Sequence, residues 1–197
     1  VRLRLRPPAT PGRCWRWPLP YNNRSTLSMR YEHISSLEAF LAEVEARLLA
    51  PEQRVAVSFP ATATSPWNGD ALALANKALL TKVSRSANLY AIFTSAGAAE
   101  DVSVRYFGKT TRKLARQRIT NHLFRKNEKT GSKLAQVIAH ASDGGVVQIS
   151  WVDVEPESLR NYLEEELILR HPEADWNREN KIKAVVDALE DAAQLPT

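Results

Sequence analysis

The chain has 197 residues, a hydrophobic fraction of 44%, a net charge of +5 and one cysteine, Cys14. This length and apolar content predict a globular domain, with or without an appendage, and exclude a chain that is disordered throughout. A single cysteine excludes an intramolecular disulfide and a cysteine-rich zinc site, which favours a reducing compartment. We find no apolar run near the roughly 18 residues that span a bilayer and no recognisable secretory segment, so we expect a cytoplasmic protein without membrane contact.

Residues 1–28 differ in composition from the rest of the chain. They contain several arginines and five prolines but no acidic residue, a composition typical of a disordered extension. Met29 is the only methionine, so one hypothesis is that translation begins there and that residues 1–28 are a misassigned upstream segment. A basic arm that touches DNA is the alternative, and an arginine-rich targeting peptide fits the prolines less well.

Residues 29–86 are predicted to form an N-terminal helical extension. Leu37, Leu41 and Leu48 recur at helical spacing after a serine pair that indicates a helix start. The predicted elements of this segment are a helix from Ser35-Ser36 to Pro51, a short strand at 54–59, a loop at 60–68 and a second helix, capped by Asp70, that reaches about Val83.

Residues 87–180 show a clearer alternation of strands and helices, and the segment 181–197 is predicted to carry a last helix. The predicted elements are a strand at 89–94, a small-residue turn at 95–101, a strand at 102–107, helices at 111–124 and 132–141, a strand at 146–154, a helix at 156–170 and a last helix at 183–193. The order β-β-α-α-β-α predicts an α/β fold of the α+β type. We expect a small, mainly antiparallel three-stranded sheet flanked by helices.

Charge is unevenly distributed along this part of the chain. Ten basic residues and one acid, Glu128, lie between Arg105 and Lys133, and the balance reverses between Asp153 and Asp191. A basic face beside a carboxylate-bearing helix suits a protein that holds nucleic acid and places a metal on it. The plain alternative is a solvated basic helix that pairs on the surface with an acidic one.

A family resemblance rests on motifs that recur in order. Leu89-Tyr90 on the first predicted strand and Tyr106-Phe107-Gly108 on the second resemble the GIY-YIG nuclease family, although the first motif lacks the family's glycine. The rest of the family pattern follows on the expected elements: Arg118, His122, Glu164, Leu167, Ile168, Pro172 and Asn177. The match covers residues 88–177, and its longer loops resemble the restriction-enzyme members.

The resemblance implies an endonuclease that uses Mg²⁺ (or Mn²⁺) to hydrolyse DNA phosphodiester bonds by a one-metal mechanism. The roles that it implies are Glu164 as the metal ligand, Arg118 at the scissile phosphate, Tyr90 as general base, Tyr106 at phosphate or water, His122 as an orienting or proton-shuttling group, and Asn177 as a brace for the glutamate. For the two tyrosines and the histidine, a structural role in the core is the alternative.

Four further residues, Gly108, Lys109, Arg112 and Arg116, are predicted to contact the substrate. A phenol with a pKa near 10 costs about 4 kcal/mol to ionise at pH 7. Lys109, Arg118 and the metal would therefore have to lower the pKa of Tyr90 for it to act as a base.

Three consecutive glutamates leave the choice of metal ligand open. On a helical wheel, Glu165 points most directly away from Leu163 and Leu167, whereas Glu164 and Glu166 flank that apolar stripe. The E-x-x-L-I register of the family selects Glu164. The alternative is that all three carboxylates are solvated.

The favoured biological role is a restriction enzyme that acts on double-stranded DNA, and cutting a palindrome would need a homodimer. Repair, homing and RNA-directed nucleases are alternatives within the enzyme class. Outside it, the alternatives are a catalytically silent nucleic-acid-binding module of the same fold and an interaction protein that uses the acidic helix.

Overall fold

The structure, a computed structural model, describes residues 29–97, 100–125 and 132–180. The chain divides into two compact units, residues 1–33 and residues 34–197. In the first unit the described residues, 29–33, contain a turn. The predicted extension at 1–28 and the predicted last helix at 183–193 lie outside the described residues.

A four-stranded antiparallel sheet lies in the second unit. Its strands are β1 (Val55–Ala56), β2 (Leu89–Ser95), β3 (Ser103–Lys109) and β4 (Val146–Val152), in the spatial order β1-β4-β2-β3. The α+β class and the antiparallel β2–β3 hairpin are confirmed. The count of three strands is wrong, because β1 joins the sheet through the pairing of Val55 with Ile149. The short strand predicted at 54–59 is present at 55–56, but its place in this sheet depends on its partner β4, which is about 90 residues further along the chain.

Helices cover both faces of this sheet. They are α1 (Ile34–Leu49), α2 (Ala61–Thr64), α3 (Gly69–Ala75), α4 (Lys77–Val83), α5 (Ala115–Leu123), α6 (Leu134–Ser142) and α7 (Arg160–Arg170). Short 3₁₀ turns, Arg112–Leu114 and Glu157–Leu159, lead into α5 and α7. Among the helices of the described ranges, none combines the length and the apolar character that crossing a membrane requires.

The second predicted helix differs in its start and its continuity. The Asn68 Oδ1 atom accepts hydrogen bonds from the backbone N–H groups of Asp70 (3.2 Å) and Ala71 (3.0 Å), so Asn68 rather than Asp70 is the N-cap. The helix is then interrupted at Asn76, which separates α3 from α4. At this break the Asn76 side chain binds the backbone of Ser58.

Each face of the sheet carries its own hydrophobic core because strand side chains alternate in direction. Under α3, α4, α5 and α6, the buried residues include Leu72, Leu80, Ile119, Val137, Tyr90, Ile92 and Tyr106. Under α1 and α7, they include Leu41, Val44, Leu163, Leu167, Leu89, Phe93 and Phe107. Tyr90 and Tyr106 therefore face the α5 layer, while α7 packs on the opposite face.

A β-bulge in β3 shifts the alternation of its side chains between the two faces of the sheet. Phe93 pairs with Val104 but its neighbour Ile92 pairs with Tyr106, so Arg105 is the extra residue. Val104 and Tyr106, two positions apart, consequently belong to opposite cores. Without this bulge Tyr106 would face the same core as Val104, away from Tyr90.

Three buried asparagines hold the ends of the sheet by pairing a side-chain amide with one residue's backbone. Asn76 binds Ser58 at 2.9 and 2.8 Å, and Asn88 binds Val154 at 2.9 and 2.7 Å. Asn177 binds Phe107 at 2.9 and 2.9 Å. In each pair the amide oxygen accepts from the backbone N–H and the amide nitrogen donates to the backbone carbonyl, as a neighbouring strand would. These contacts replace missing strand partners.

Replacing Asn88 with alanine should lower the free energy of unfolding by about 2–4 kcal/mol, because the buried backbone N–H and C=O of Val154 would both lose their partner. Urea unfolding of the purified protein measures this. The exposed Asn161, whose amide donates to the Ser158 carbonyl on the surface, is the matched control. Equal losses for Asn88→Ala and Asn161→Ala would contradict the prediction.

Candidate functional site

Four predicted site residues meet on the α5 side of the sheet, near the end of β3. Tyr90 stands opposite Gly108 in the β2–β3 register. Its ring centroid lies 6.1 Å from that of Tyr106 and 5.9 Å from that of His122, and the Tyr106 and His122 centroids are 5.3 Å apart. Arg118, one helical turn before His122 on α5, lies close enough to both tyrosine hydroxyls to influence their pKa. Tyr90 and His122, which are 32 positions apart in the sequence, thus belong to one cluster.

Gly108 makes the packing of the two tyrosines possible. A Cβ atom on residue 108 would lie 2.6 Å from Cε1 of Tyr106 and 2.6 Å from both Cζ and Oη of Tyr90. Both rings therefore lie directly over the glycine Cα. The structure therefore gives Gly108 a packing role against the two tyrosines, and its predicted contact with the substrate stays a prediction.

Gly108→Ala should lower the free energy of unfolding by about 1–3 kcal/mol, because the new methyl group must push both buried tyrosines aside. Urea unfolding tests this against Gly97→Ala, where the nearest atom to the added Cβ would be 3.5 Å away. If the two substitutions have the same effect, the tyrosine rings do not depend on this glycine.

Burial dominates the ionisation of both tyrosines. It raises the pKa of Tyr90 well above its ordinary value, an effect to which Tyr106 and Glu164 add and which Arg118 opposes. Burial also raises the pKa of Tyr106, again against Arg118 and with Glu164. The Tyr90 hydroxyl is buried and has no well-aligned hydrogen-bond partner in the described part of the chain. Both phenols are therefore neutral at pH 7.

Arg118 is the cation of the cluster, and it is partly buried. Burial lowers the pKa of its guanidinium, but Tyr90 and Tyr106 together raise it by more. The guanidinium is therefore charged at neutral pH. A guanidinium beside two neutral phenols presents hydrogen-bond donors from three side chains, an arrangement that suits an anion with several oxygens.

His122 is fully buried and neutral. Its Nδ1 atom accepts a hydrogen bond from the backbone N–H of Lys133 at 3.2 Å, so the ring proton belongs on Nε2. Burial lowers the pKa of His122 to about 3, and the charges of Arg118 and Lys133 contribute. The Nε2 atom is buried with no partner among the described residues. This protonation state favours an orienting role over proton shuttling.

The pKa of His122 makes a prediction about acid stability. Folding lowers the pKa of His122 from 6.5 to about 3. The contribution of the neutral ring to the free energy of unfolding is therefore fully present above pH 6.5 and is lost as the pH falls towards 3. Between pH 6.5 and pH 4.5 the wild type should lose about 2 kcal/mol more stability than His122→Gln. Urea unfolding at both pH values measures the difference, with the exposed His33→Gln as control. Equal acid losses in wild type and His122→Gln would contradict this assignment.

Lys133 is a site residue that the sequence analysis did not single out. Its Nζ atom lies 4.9 Å from the centroid of the Tyr106 ring, a cation–π distance, while its backbone holds His122. Nothing local distinguishes it from the other basic residues of its segment. It reaches the site because α6 packs against α5.

Glu164 stands on α7 and is bound by Lys109 through both carboxylate oxygens. Oε1 accepts from the Lys109 backbone N–H at 3.0 Å, and Oε2 lies 2.7 Å from the Lys109 Nζ atom. The Glu164 side chain is 14% exposed, whereas that of Glu165 is 72% exposed. Of these two neighbours, Glu164 faces the end of β3, which agrees with the register of the family motif.

The donor set fits one cation held by a single carboxylate. Burial raises the pKa of Glu164 and Lys109 opposes the shift, so the carboxylate remains a usable oxygen ligand. In the described ranges, no three His, Cys, Asp or Glu side chains come together as a metal site. Mg²⁺ commonly takes one or two carboxylates and completes its shell with water and phosphate. Glu164 is the residue that would hold such an ion, and Lys109 neutralises it in this structure.

Asn177 does not brace Glu164 directly. Its amide binds the backbone of Phe107, two residues before the Lys109 N–H that Glu164 accepts. Phe107 and Lys109 both direct their N–H groups to the outer edge of β3, beyond which no further strand lies in the described ranges. Asn177 therefore braces β3, the strand that carries Lys109, which is the partner of Glu164.

Arg112 and Arg116 lie apart from the tyrosine cluster. The Arg112 guanidinium pairs with Asp153 (2.5 Å) and Glu155 (2.9 Å), so it ties the start of α5 to the segment after β4. Its predicted substrate contact would require breaking both pairs. Arg116 is exposed, and two helical positions from Arg118 turn it about 200° around α5, to the other flank of the helix.

Comparison of the chain with protein-family models, with curated proteins and with solved structures found no match.

Proposed function

We propose that this protein is an endonuclease of the GIY-YIG type that hydrolyses DNA phosphodiester bonds with one Mg²⁺ (or Mn²⁺) ion. One observation carries the proposal: Arg118 and the hydroxyls of Tyr90 and Tyr106 form a donor cluster within the electrostatic range of Glu164. The cluster suits an anion, and the carboxylate suits a cation. A phosphodiester with a bound divalent metal presents both charges to one site.

Arg118 would bind the scissile phosphate, because its guanidinium can donate to two phosphate oxygens. Tyr106 lies beside it with Lys133 over its ring, so its hydroxyl can donate to a phosphate oxygen or to the attacking water. His122 packs against both tyrosines and would keep their rings in place. These groups recognise and orient the phosphate without changing their protonation.

Tyr90 fits a water-positioning role better than that of an ionised base. Removing a proton from a phenol of ordinary pKa costs about 4 kcal/mol at pH 7, and burial raises the pKa of Tyr90 further. Its neutral hydroxyl can instead hold the attacking water, with Arg118 close by. The reaction proposed is therefore attack by a tyrosine-assisted water.

Glu164 would hold the metal ion. When bound, the ion would neutralise phosphate charge and lower the pKa of a coordinated water. Lys109, which now neutralises Glu164 at 2.7 Å, would be released from that carboxylate. Its ammonium would then stand at the end of β3, able to pair with a phosphate oxygen.

Glu164→Gln should lower the rate of Mg²⁺-dependent plasmid cleavage roughly 100-fold or more, because the amide cannot supply the anionic oxygen. Agarose-gel assays of nicked and linear plasmid, with Mg²⁺ or with EDTA, measure the rate. Glu165→Gln is the matched control, because its side chain is exposed and should leave the rate unchanged. Equal cleavage by Glu164→Gln and wild type would remove Glu164 from the mechanism.

A restriction enzyme is the biological role we favour, with two copies of the chain acting on the two strands of a palindrome. A second candidate function is a silent nucleic-acid-binding module. It is favoured by the Lys109–Glu164 ion pair, which neutralises the carboxylate without a metal. That candidate requires Mg²⁺-independent binding and no cutting of diverse DNA, so the same plasmid assay separates the two.

A further inference from the structure

A basic cleft lies between the end of α4 and the flank of α5 that faces away from Arg118. Its volume is about 470 Å³. The eight described residues that line it include four cations and no acid: Arg85, Lys113, Arg116 and Arg125. The other four carry side-chain amides or hydroxyls: Ser84, Gln117, Thr120 and Asn121. Every lining side chain can therefore donate a hydrogen bond.

The positive charge of this cleft is largely uncompensated. In the described ranges, Arg125 pairs with Asp70 at 2.7 Å, and both side chains are more than half exposed, so the pair is weak. No carboxylate of the described residues pairs with Arg85, Lys113 or Arg116. Like charges that converge on one cleft repel each other unless an anion binds between them.

The walls of the cleft are held in place by packing. Leu80 and Val83 of α4 share a core with Ile119 and Leu123 of α5. At the end of α5, the Trp67 indole donates to the Phe124 carbonyl at 3.0 Å. The cleft is consequently a formed site between two packed helices.

Arg85 occupies a backbone conformation that arginine rarely adopts. Its φ angle is +62°, in the left-handed region that favours glycine and asparagine. The turn after α4 therefore carries an arginine where either of those residues would be less strained. Binding of an anion by the Arg85 side chain would explain why this position carries an arginine.

We propose that this cleft is a second phosphate site that binds the backbone of the nucleic acid, a proposal that rests on the proposed function. Arg116 and Arg118 lie on opposite flanks of α5, so the two phosphates would be separated by about one helix width, roughly 10–12 Å. The exposed Gln117 lies on the solvent side between them. The major groove of a duplex is about 12 Å wide, and phosphates line both of its sides. The substrate is therefore a duplex that spans α5.

Binding of a fluorescein-labelled 20-base-pair duplex in EDTA and 50 mM salt tests this without cleavage. Lys113→Gln/Arg116→Gln should raise Kd roughly 10-fold and should reduce the slope of log K against log salt concentration by about 2. The control Arg47→Gln/Lys77→Gln removes the same charge from exposed positions outside the cleft and should change Kd less than about twofold.

The Arg85→Asn variant separates an effect on duplex binding from an effect on the stability of the fold. Asparagine tolerates the left-handed backbone better than arginine, so the melting temperature should stay the same or rise while Kd increases severalfold. Inorganic phosphate, added at constant ionic strength, should raise the Kd of the wild type for the duplex more than that of Lys113→Gln/Arg116→Gln, because it competes with the duplex for the cleft. An equal effect of phosphate on both proteins would show that no duplex phosphate binds in the cleft and would overturn the proposal.

The failures of the two proposals are distinguishable. If the wild type cuts plasmid but the cleft variants keep its Kd and salt slope, the second phosphate site is excluded and the nuclease stands. If the cleft variants lose affinity but the wild type cuts no DNA, the nuclease proposal fails and the site stands. A wild type that does not bind the duplex overturns both.

Discussion

The unpaired outer edge of β3 is the constraint on which the candidate site depends. Backbone groups at a buried edge must find partners, and here no fifth strand is present in the described ranges. Trp176 donates its N–H to the Arg105 carbonyl, Asn177 pairs with Phe107, and Glu164 accepts from the Lys109 N–H. The glutamate of the site is thus held where it is because it completes the strand edge.

Burial is the largest cause of the pKa shifts of the two tyrosines, Glu164 and His122. It raises the pKa of both tyrosines and of Glu164, and it lowers the pKa of His122. The result is a set of neutral donors beside the cations Arg118 and Lys133, a preorganised environment for an anion. The same packing that excludes water from Tyr90 prevents it from ionising at neutral pH. At neutral pH Tyr90 is therefore a hydrogen-bond donor and not a base.

Much of the fold follows from periodicity that is visible in the sequence. The β2–β3 hairpin, β4, and the helices α1, α5, α6 and α7 all appear near their predicted positions, because each spans enough residues to show its repeat. The short strand predicted at 54–59 is present as β1, but its place in the sheet and the contacts of Asn76 were not predictable, since both involve partners far along the chain. For the site, the sequence indicated the glycine, the tyrosines and Arg118. It could not indicate Lys133, which is one cation among ten until α6 packs on α5.

The sequence by itself determined an α+β chain with two tyrosine-bearing strands, a glycine two residues after the second tyrosine and a basic helix next in order. These are local properties, set by side-chain size and by spacing along a few residues. Only the tertiary structure decided that Lys109 neutralises Glu164 and that Arg112 is tied to Asp153 and Glu155. Ion pairs and pKa values are set by burial and by neighbours more than 40 positions away, which no local pattern records.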